Sequence, residues 1–376
     1  MVKKSFEHKA IKMKVLFDNQ IFSLQRYGGI SRYFVEIMKR MPQDVDVISP
    51  TLLTDNVFLK TERFEGNKSV SLPDFKWKKK LYAAVNNSNF SRLLKRGDYD
   101  IFHPTYFDPG FLKRLHGPYV VTVHDMTYER FPELFGTEDP VISQKKETIT
   151  RADKIIAISE KTKADIIDIY GLSGSNIEVI YHGHSLHPEN AEAVEGLPEK
   201  YILYVGQRFH YKNFDRFLEA FAMVHKWNPE IKLVCTGGGF SRDEMSRIKM
   251  LGLEGAVSSR FVSDNQLAYL YQHALCFVFP SLYEGFGIPV LEAFASGCPV
   301  LLSNASCFPE VGGDAALYFD PYNPEEMAKT IESVVSDSNL RTQMIQRGHE
   351  RVKAFSWDKK QPNFTKNNRK NALDAV

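Results

Sequence analysis

Short apolar runs alternate with longer segments of helical periodicity from one end of the chain to the other. In the first half the runs are MKVLF, VDVIS, YDIFH, YVVTVH, KIIAIS and IEVIY. Between them the pattern predicts helices at residues 30–41, 76–95, 141–152 and 160–170. Several runs are apolar almost throughout, as is typical of strands buried on both faces. The pattern therefore predicts parallel sheets covered by helices on both faces.

The same alternation starts again in the second half. Its runs are YILYVG, IKLVCTG, SSRFVS, LCFVFPS, PVLLS and ALYFD. A chain of 376 residues exceeds the usual size of one core, so two domains are expected. The polar segment HPENAEAVEGLPEK fits neither periodicity and places the boundary near residue 192. We expect an α/β protein with Rossmann-like domains at 1–191 and 192–376, their parallel sheets facing across a cleft.

Composition narrows the classes of partner. Forty-eight basic and 46 acidic residues leave a net charge of +2, which gives no overall field for holding nucleic acid. No apolar stretch reaches the length of a membrane span or signal peptide, so a cytoplasmic protein is expected. The cysteines lack CxxC spacing and are expected to be reduced packing residues: Cys235, Cys276, Cys298 and Cys307.

A pair of glycines follows the first predicted strand. MKVLF leads through a polar loop to Gly28 and Gly29, after which the helical pattern YFVEIMKRM begins. Adjacent glycines let the backbone approach a ligand, and a helix N-terminus offers N–H groups to a phosphate. A plain strand-to-helix turn is the alternative. The spacing is not GxGxxG and gives no support for a dinucleotide cofactor.

Two glutamates stand out in SLYEGFGIPVLEA. The strand CFVFPS runs into a glycine-containing turn, and Pro289 suits the first turn of a following helix. The N–H groups expected to face an anion are those of Phe286, Gly287 and Ile288. A diphosphate would repel a carboxylate, whereas a vicinal diol donates hydrogen bonds to it. This favours Glu292 on a ribose and Glu284 on a sugar; an exposed acidic loop is the alternative.

The spacing of these glutamates within EGFGIPVLEAFASGCPV resembles the signature of glycosyltransferase family 4, whose fold is GT-B. The resemblance covers nearly the whole chain. It includes the Gly28–Gly29 loop, VTVHDMTYERFPELF, YVGQRFHYKN and RFVSDNQLAYLYQHA. It implies a retaining enzyme that uses a nucleotide-diphosphate sugar.

The resemblance also implies roles for other residues. Arg208 and Lys212 would bind the donor diphosphate, and His124 would face the transferred sugar. Fixed cations stabilise the charge that develops on a leaving diphosphate, so they substitute for a metal, and neither a metal nor a cofactor is expected. Gly238, within a run of three glycines, would admit the nucleotide, and residues 260–267 resemble the base-contacting loop of the family.

The function expected from this resemblance is transfer of a hexose or deoxyhexose to a saccharide or lipid-linked saccharide acceptor in surface-polysaccharide synthesis. HDMTYERFPELF resembles mannosyl- and rhamnosyltransferases, and a GDP-linked donor ranks first. No second carboxylate suits a covalent nucleophile, so we expect same-face substitution. The alternative is a non-catalytic nucleotide-sugar sensor or scaffold. A nicotinamide-dependent oxidoreductase lacks its glycine fingerprint.

Membrane contact is a further hypothesis. The segment FKWKKKLY at 75–82, followed by Arg92, Lys95 and Arg96, is basic and aromatic, which suits peripheral attachment to the inner membrane surface. A solvated helix face is the alternative. The C-terminal QPNFTKNNRKNALDAV departs from the family, in which an amphipathic helix usually returns to the first domain. DxD patterns at 44–46 and 98–100, and histidines in YHGHSLHP, are interpreted as structural rather than metal-binding.

Overall fold

The computed structural model describes residues 12–136 and 138–358. Contacts within the chain divide it into two compact units. Unit 1 takes the residues up to Ile158, then Lys163–Ile180, and finally Trp357 and Asp358. Unit 2 takes Ser159–Thr162 and Tyr181–Ser356. The division therefore passes between Ile180 and Tyr181, upstream of the boundary expected at residue 192, because the polar segment after it packs with unit 2.

Each apolar run predicted to be a strand forms one. The strands of unit 1 are β1 (Met13–Phe17), β2 (Val45–Ile48), β3 (Ile101–His103), β4 (Val120–Val123), β5 (Lys154–Ala157) and β6 (Ile177–Val179). They pair in parallel in the orders β2–β1–β3 and β4–β5–β6. A parallel bridge between Phe102 and Tyr119 links the two sets. Unit 1 thus has a doubly wound sheet whose strand order reverses between β1 and β3.

The helices of unit 1 are α1 (Gln20–Leu24), α2 (Gly29–Lys39), α3 (Lys78–Arg96), α4 (Thr127–Arg130), α5 (Pro132–Phe135), α6 (Pro140–Thr150) and most of α7 (Glu160–Tyr170). Helices α2, α3, α6 and α7 agree with the predicted segments to within a few residues, whereas the short helices α4 and α5 were not predicted. Helix α1 was not expected, since the segment after β1 was predicted to be a polar loop. Ile21 and Phe22 are buried and account for it.

Unit 2 contains one six-stranded parallel sheet, in the order β12–β11–β10–β7–β8–β9. Its strands are β7 (Tyr201–Tyr204), β8 (Lys232–Thr236), β9 (Val257–Arg260), β10 (Cys276–Phe279), β11 (Val300–Ser303) and β12 (Ala316–Phe319). Its helices are α8 (Phe214–Trp227), α9 (Arg242–Met250), α10 (Asp264–His273), α11 (Ile288–Ala295), α12 (Phe308–Gly312), α13 (Pro324–Ser336) and α14 (Ser338–Val352). The order reverses between β7 and β10, the point at which sheets of this kind present ligands.

Aromatic and aliphatic side chains fill both cores. In unit 2, Phe217 and Phe221 of α8 are fully buried against the sheet. In unit 1, Trp357 lies 6.0 Å from Tyr33 and belongs to the core around β1 and α2. The chain therefore returns to unit 1 at its tryptophan. The helix that the family usually forms after this point falls at 359–376, outside the described residues.

Two further observations concern disulfide bonds and membrane-spanning helices. All four cysteines are buried and free of disulfides, as expected for packing residues. Across 12–136 and 138–358, no helix combines the length and the apolar character that a bilayer crossing requires.

Candidate functional site

The loops that follow β7 and β10 meet at the reversal point of unit 2. The two strands are paired, so their carboxyl ends lie side by side. Lys212, from the loop after β7, places its Nζ 2.6 Å from Oε1 of Glu284, from the loop after β10. The Ser281 hydroxyl donates to the same oxygen at 2.8 Å. The side chains of Lys212 and Glu284 are only 17% and 14% exposed, so the pair is partly desolvated.

Asn213 explains why these loops come together. It has a left-handed backbone (φ 59°) between a 3-10 turn at His210–Lys212 and helix α8. Its side-chain amide donates to the carbonyls of Pro280 and Pro321 at 3.1 and 2.7 Å. One buried asparagine thereby ties the loop carrying Lys212 to the loop carrying Glu284. Asparagine tolerates this conformation better than most residues.

Arg208 is the most constrained cation of the site. Its Nε donates to Glu244 at 2.6 Å, and Nη2 donates to the carbonyls of Gly238 and Gly239 at 2.7 and 2.9 Å. The guanidinium lies over the Phe240 ring, 4.9 Å from its centroid. Its Nη1 is buried and finds no hydrogen-bond partner among the described residues. One donor of a fixed fork is thus available to an anionic oxygen.

Glu244 and Glu284 each pair with one of the two cations. Cations at the start of a helix oppose its dipole unless an anion lies close to them. The structure gives each a carboxylate of the protein instead: Glu244 for Arg208 and Glu284 for Lys212. Their position near a helix start is therefore not by itself a sign of a bound anion. The geometry of Nη1 is the stronger sign.

The three glycines after β8 form the neighbouring loop. Gly237 has φ +112°, and a Cβ there would lie 2.8 Å from the carbonyl oxygen of Gly206, which follows β7. Only glycine allows this close approach of the two backbones. The Gly238 carbonyl accepts from Arg208 and from the Ser259 hydroxyl. A Cβ at Gly238 would meet nothing within 4 Å, so there is open space beside it.

The glycine-containing turn before α11 forms as predicted. Gly287 is its left-handed cap (φ +88°), and Pro289 lies in the first turn. Phe286 is buried, with its ring 5.1 Å from that of His182. The Gly285 carbonyl accepts from the Ser159 hydroxyl at 2.7 Å, a support that the sequence gave no way to foresee.

Glu292 has its own environment, as expected from its distance in sequence from Glu284. It lies on α11 and is only 6% exposed. Burial raises the pKa of the Tyr271 phenol well above its usual value, and the nearby Glu292 charge raises it further. A carboxylate in this position has little access to solvent. Its predicted contact with a ribose stays a prediction.

In unit 1, His124 follows the buried strand β4. The ring stands edge-to-face against Tyr33, with centroids 4.9 Å apart, and is 8% exposed. Burial lowers the pKa of His124 to about 4, Asp125 opposes this, and Lys145 adds to it. The imidazole is therefore neutral at pH 7, so it carries no positive charge and can donate or accept one hydrogen bond.

A buried ion pair supports this strand end, and sequence analysis missed it. The Nζ of Lys145 on α6 donates to the Asp125 carbonyl at 2.9 Å and to Glu129 at 2.8 Å. The Tyr170 hydroxyl donates to the other oxygen of Glu129 at 2.8 Å. Lys145 and Glu129 side chains are 2% and 4% exposed. Because these residues lie far apart in sequence, no local pattern could have identified the network.

The Gly28–Gly29 turn begins α2, as predicted. Gly28 is the cap and Gly29 the first helical residue. The Ser31 N–H belongs to the helix N-terminus that was predicted to face a phosphate. It donates instead to the side-chain oxygen of Gln25 at 3.2 Å. A Cβ at Gly29 would meet nothing within 4 Å. The open side of the turn is therefore at Gly29.

Three of the four aspartate side chains in the DxD patterns set aside earlier have protein partners. Asp46 pairs with Lys12 and Asp98 with Lys14, while Asp100 accepts from the backbone N–H of Lys14. In the part of the chain that the structure describes, no three His, Cys, Asp or Glu side chains form a metal-binding group.

Comparisons with known proteins identify the family of this chain. Residues 27–187 match the family described as Glycosyltransferase Family 4, and residues 189–351 match Glycosyl transferases group 1. The O-antigen chain mannosyltransferase B of Escherichia coli is 30% identical over 277 residues, which cover 69% of this chain and 71% of that protein. The mannosylfructose-phosphate synthase of Agrobacterium fabrum is 26% identical over 311 residues, covering 72% and 68%.

Solved structures share the fold. Sucrose-phosphate synthase from Thermosynechococcus elongatus superposes with a TM-score of 0.73 at 18% identity, covering 92% of this chain and 96% of that one. WaaG, a glycosyltransferase of lipopolysaccharide biosynthesis, has a TM-score of 0.67 at 17% identity, covering 96% and 99%. At these identities the likeness concerns the fold alone, which is GT-B. The two family matches and the relative at 30% identity show that this chain belongs to glycosyltransferase family 4.

Proposed function

We propose that this glycosyltransferase moves a hexosyl or deoxyhexosyl group, mannose first, from a nucleotide-diphosphate sugar to a saccharide acceptor, with retention and without a metal. The observation that carries the proposal is the arrangement at the reversal point of unit 2. A cation–carboxylate pair, Lys212 and Glu284, lies there together with Arg208, whose buried Nη1 has no partner among the described residues.

The donor parts are assigned by charge. The diphosphate goes to Arg208 Nη1 and Lys212 and to the N-terminus of α11, where backbone N–H groups favour an anion. Glu284 then accepts hydrogen bonds from hydroxyls of the transferred sugar, and Lys212 shares its charge between Glu284 and the diphosphate. Glu292 is assigned to the ribose, whose vicinal hydroxyls can donate hydrogen bonds to a carboxylate. In unit 1, His124 is assigned to the transferred sugar, since a neutral imidazole can donate or accept one hydrogen bond.

The reaction needs no protein nucleophile. The bond between the anomeric carbon and the diphosphate oxygen breaks, and the bond to the acceptor oxygen forms on the same face. The acceptor proton passes to the departing diphosphate oxygen, which keeps atoms and charge balanced. The chain stabilises the charge that accumulates on that oxygen through Arg208 and Lys212. Such stabilisation replaces the divalent cation that many nucleotide-sugar enzymes use.

The proposed identities of the sugar and the base come from the relatives and from one exposed aromatic ring. Relatives named mannosyltransferases favour mannose, and a GDP-linked donor follows from that choice. Phe261, directly after β9, is 95% exposed and offers a ring on which a base can stack. Phe261 lies within the segment that resembles the base-contacting loop of the family.

The acceptor is proposed to be lipid-linked, with a peripheral membrane contact through residues 75–82. Phe75, Trp77 and Leu81 are exposed there. Lys78 is a correction to the sequence argument, because it pairs with Asp55 at 2.8 Å and Asp74 at 3.0 Å and is only 11% exposed. The lysines left for anionic lipid are therefore Lys76, Lys79 and Lys80.

A panel of nucleotide sugars tests the transfer. We expect nucleoside diphosphate release that is fastest with GDP-mannose, depends on a saccharide acceptor, and persists in EDTA. Binding of a nucleotide sugar without release of the nucleoside diphosphate under any condition would favour a sensor or scaffold over an enzyme. Activity that EDTA abolishes and manganese restores would refute the metal-free assignment.

A further inference from the structure

A basic pocket lies on unit 1, and three of its cations, Arg92, Lys95 and Arg96, are the ones that follow the aromatic segment in the membrane hypothesis. Its volume is about 520 Å³, and its lining combines the C-terminal half of α3 with the residue after a 3-10 turn at Pro109–Lys113. The lining residues are Ser88, Ser91, Arg92, Lys95, Arg96 and Arg114. Four cations and two hydroxyls thus surround one depression, with no acidic residue in the lining.

Two of the three guanidinium groups, those of Arg92 and Arg114, are positioned by neutral partners. Nη2 of Arg92 donates to the side-chain oxygen of Asn89 at 2.6 Å, and Asn89 in turn donates to the Pro50 carbonyl at 2.8 Å. Nη1 of Arg114 donates to the Ser91 hydroxyl at 3.2 Å. The guanidinium groups of Arg92 and Arg114 are therefore held in place, yet neither is paired with a carboxylate of the described residues. A planar guanidinium held in this way matches two oxygens of a phosphate.

The charge of this cluster is uncompensated. None of its four cations lies within 4.0 Å of a carboxylate elsewhere in 12–136 or 138–358, whereas Arg130, Lys145, Arg208 and Lys212 all have one. The sequence of α3 contains no Asp or Glu. Cations near a helix C-terminus gain from the dipole, which explains Lys95 and Arg96. It does not explain Arg114, which comes from another element and adds repulsion.

We propose that this pocket binds a phosphate group, either the headgroup phosphate of a membrane lipid or a phosphate of a soluble compound. It differs from the aromatic segment 75–82, since Arg92 lies eleven positions after Leu81, or about 16 Å along α3. The proposal needs no nucleotide sugar. Its failure would leave the transfer reaction of unit 2 untouched.

The test compares the parent with a pocket variant, Arg92→Gln/Arg96→Gln/Arg114→Gln. A matched control, Lys226→Gln/Lys249→Gln/Lys329→Gln, removes three exposed cations from unit 2. In one arm, each protein is sedimented with vesicles of phosphatidylcholine containing phosphatidylglycerol, and with pure phosphatidylcholine. In the other, binding of inorganic pyrophosphate is measured by titration calorimetry, where any binding in unit 2 contributes equally to parent and pocket variant.

Each cation near an anionic surface contributes roughly fivefold to binding, so the pocket variant should lose at least tenfold in one arm while the control loses much less. Loss with vesicles identifies a lipid source, and loss with pyrophosphate alone identifies a soluble one. Equal losses in the pocket variant and the control, or no loss in either arm, would overturn the proposal. Nucleoside diphosphate release in the same variants reports separately on the transfer reaction.

Discussion

Replacing Arg208 separates a structural role from a donor-binding role. Arg208→Met removes the hydrogen bonds that the guanidinium donates to Glu244 and to the carbonyls of Gly238 and Gly239, together with the unpartnered Nη1. We expect both the free energy of unfolding and the affinity for the nucleoside diphosphate to fall. The first change follows from Glu244, which is left partly buried without its cation. The second follows only if Nη1 contacts the diphosphate.

The magnitudes can be estimated from the contacts. Breaking a buried ion pair by removing one partner costs about 3–5 kcal/mol. Because the Glu244 side chain is 17% exposed, solvent offsets part of this and we expect about 3 kcal/mol. A hydrogen bond to a charged group contributes about 1.5–3 kcal/mol, which corresponds to roughly 10- to 150-fold in affinity. Urea unfolding measures the first quantity and isothermal titration calorimetry the second.

The double variant Arg208→Met/Glu244→Gln provides the control. Glutamine removes the uncompensated charge and can still accept from the Ser241 N–H at the start of α9, as Glu244 does. Stability should therefore return towards that of the parent, whereas the loss of donor affinity should remain. A stable double variant that binds the nucleoside diphosphate as tightly as the parent would show that Arg208 is only a structural residue.

Three further predictions concern single positions. Gly29→Ala should leave the urea midpoint unchanged, because a Cβ there meets open space. The same change should lower turnover at least tenfold if a ligand approaches that backbone. Turnover equal to that of the parent would place the ligand elsewhere. Gly287→Ala should destabilise by about 1–3 kcal/mol in urea unfolding, since φ is +88° and the Cβ would lie 3.2 Å from Phe308; an unchanged midpoint would contradict this. The His124 ring resonances should stay constant from pH 8 to pH 5 in an NMR titration, because burial lowers the pKa of His124 to about 4. As the pH falls, the unfolded chain takes up the proton before the folded chain does. The contribution of His124 to stability is therefore full above about pH 6.5 and falls towards pH 4. A midpoint near 6.5 would refute the buried neutral imidazole.

Local patterns were sufficient for the strands and the larger helices. Runs such as YILYVG and CFVFPS are apolar and bounded by turn residues, and each forms a buried strand. The start of α11 also followed from sequence, because Pro289 is of the residue type favoured in the first turn of a helix. These features depend on neighbours within a few residues, which a single sequence displays directly.

Contacts between distant segments could not be predicted. Lys212 and Glu284 were both identified, but their pairing depends on the adjacency of β7 and β10, which the strand order alone decides. Lys145 and Glu129 carry no motif, and their burial became visible only in the fold. The contacts divide the chain between Ile180 and Tyr181, upstream of the boundary predicted near residue 192, since a polar segment can pack with either neighbour.

The most direct test of the central claim is the structure of the product. The enzyme is incubated with GDP-mannose and a lipid-linked saccharide acceptor in EDTA, and the product is analysed by mass spectrometry and NMR. The account predicts one added hexose with the anomeric configuration of the donor. It also predicts that a Glu284→Gln variant forms this product far more slowly, because Glu284 is assigned to the transferred sugar. A product of inverted configuration, or an unchanged rate in that variant, would contradict it.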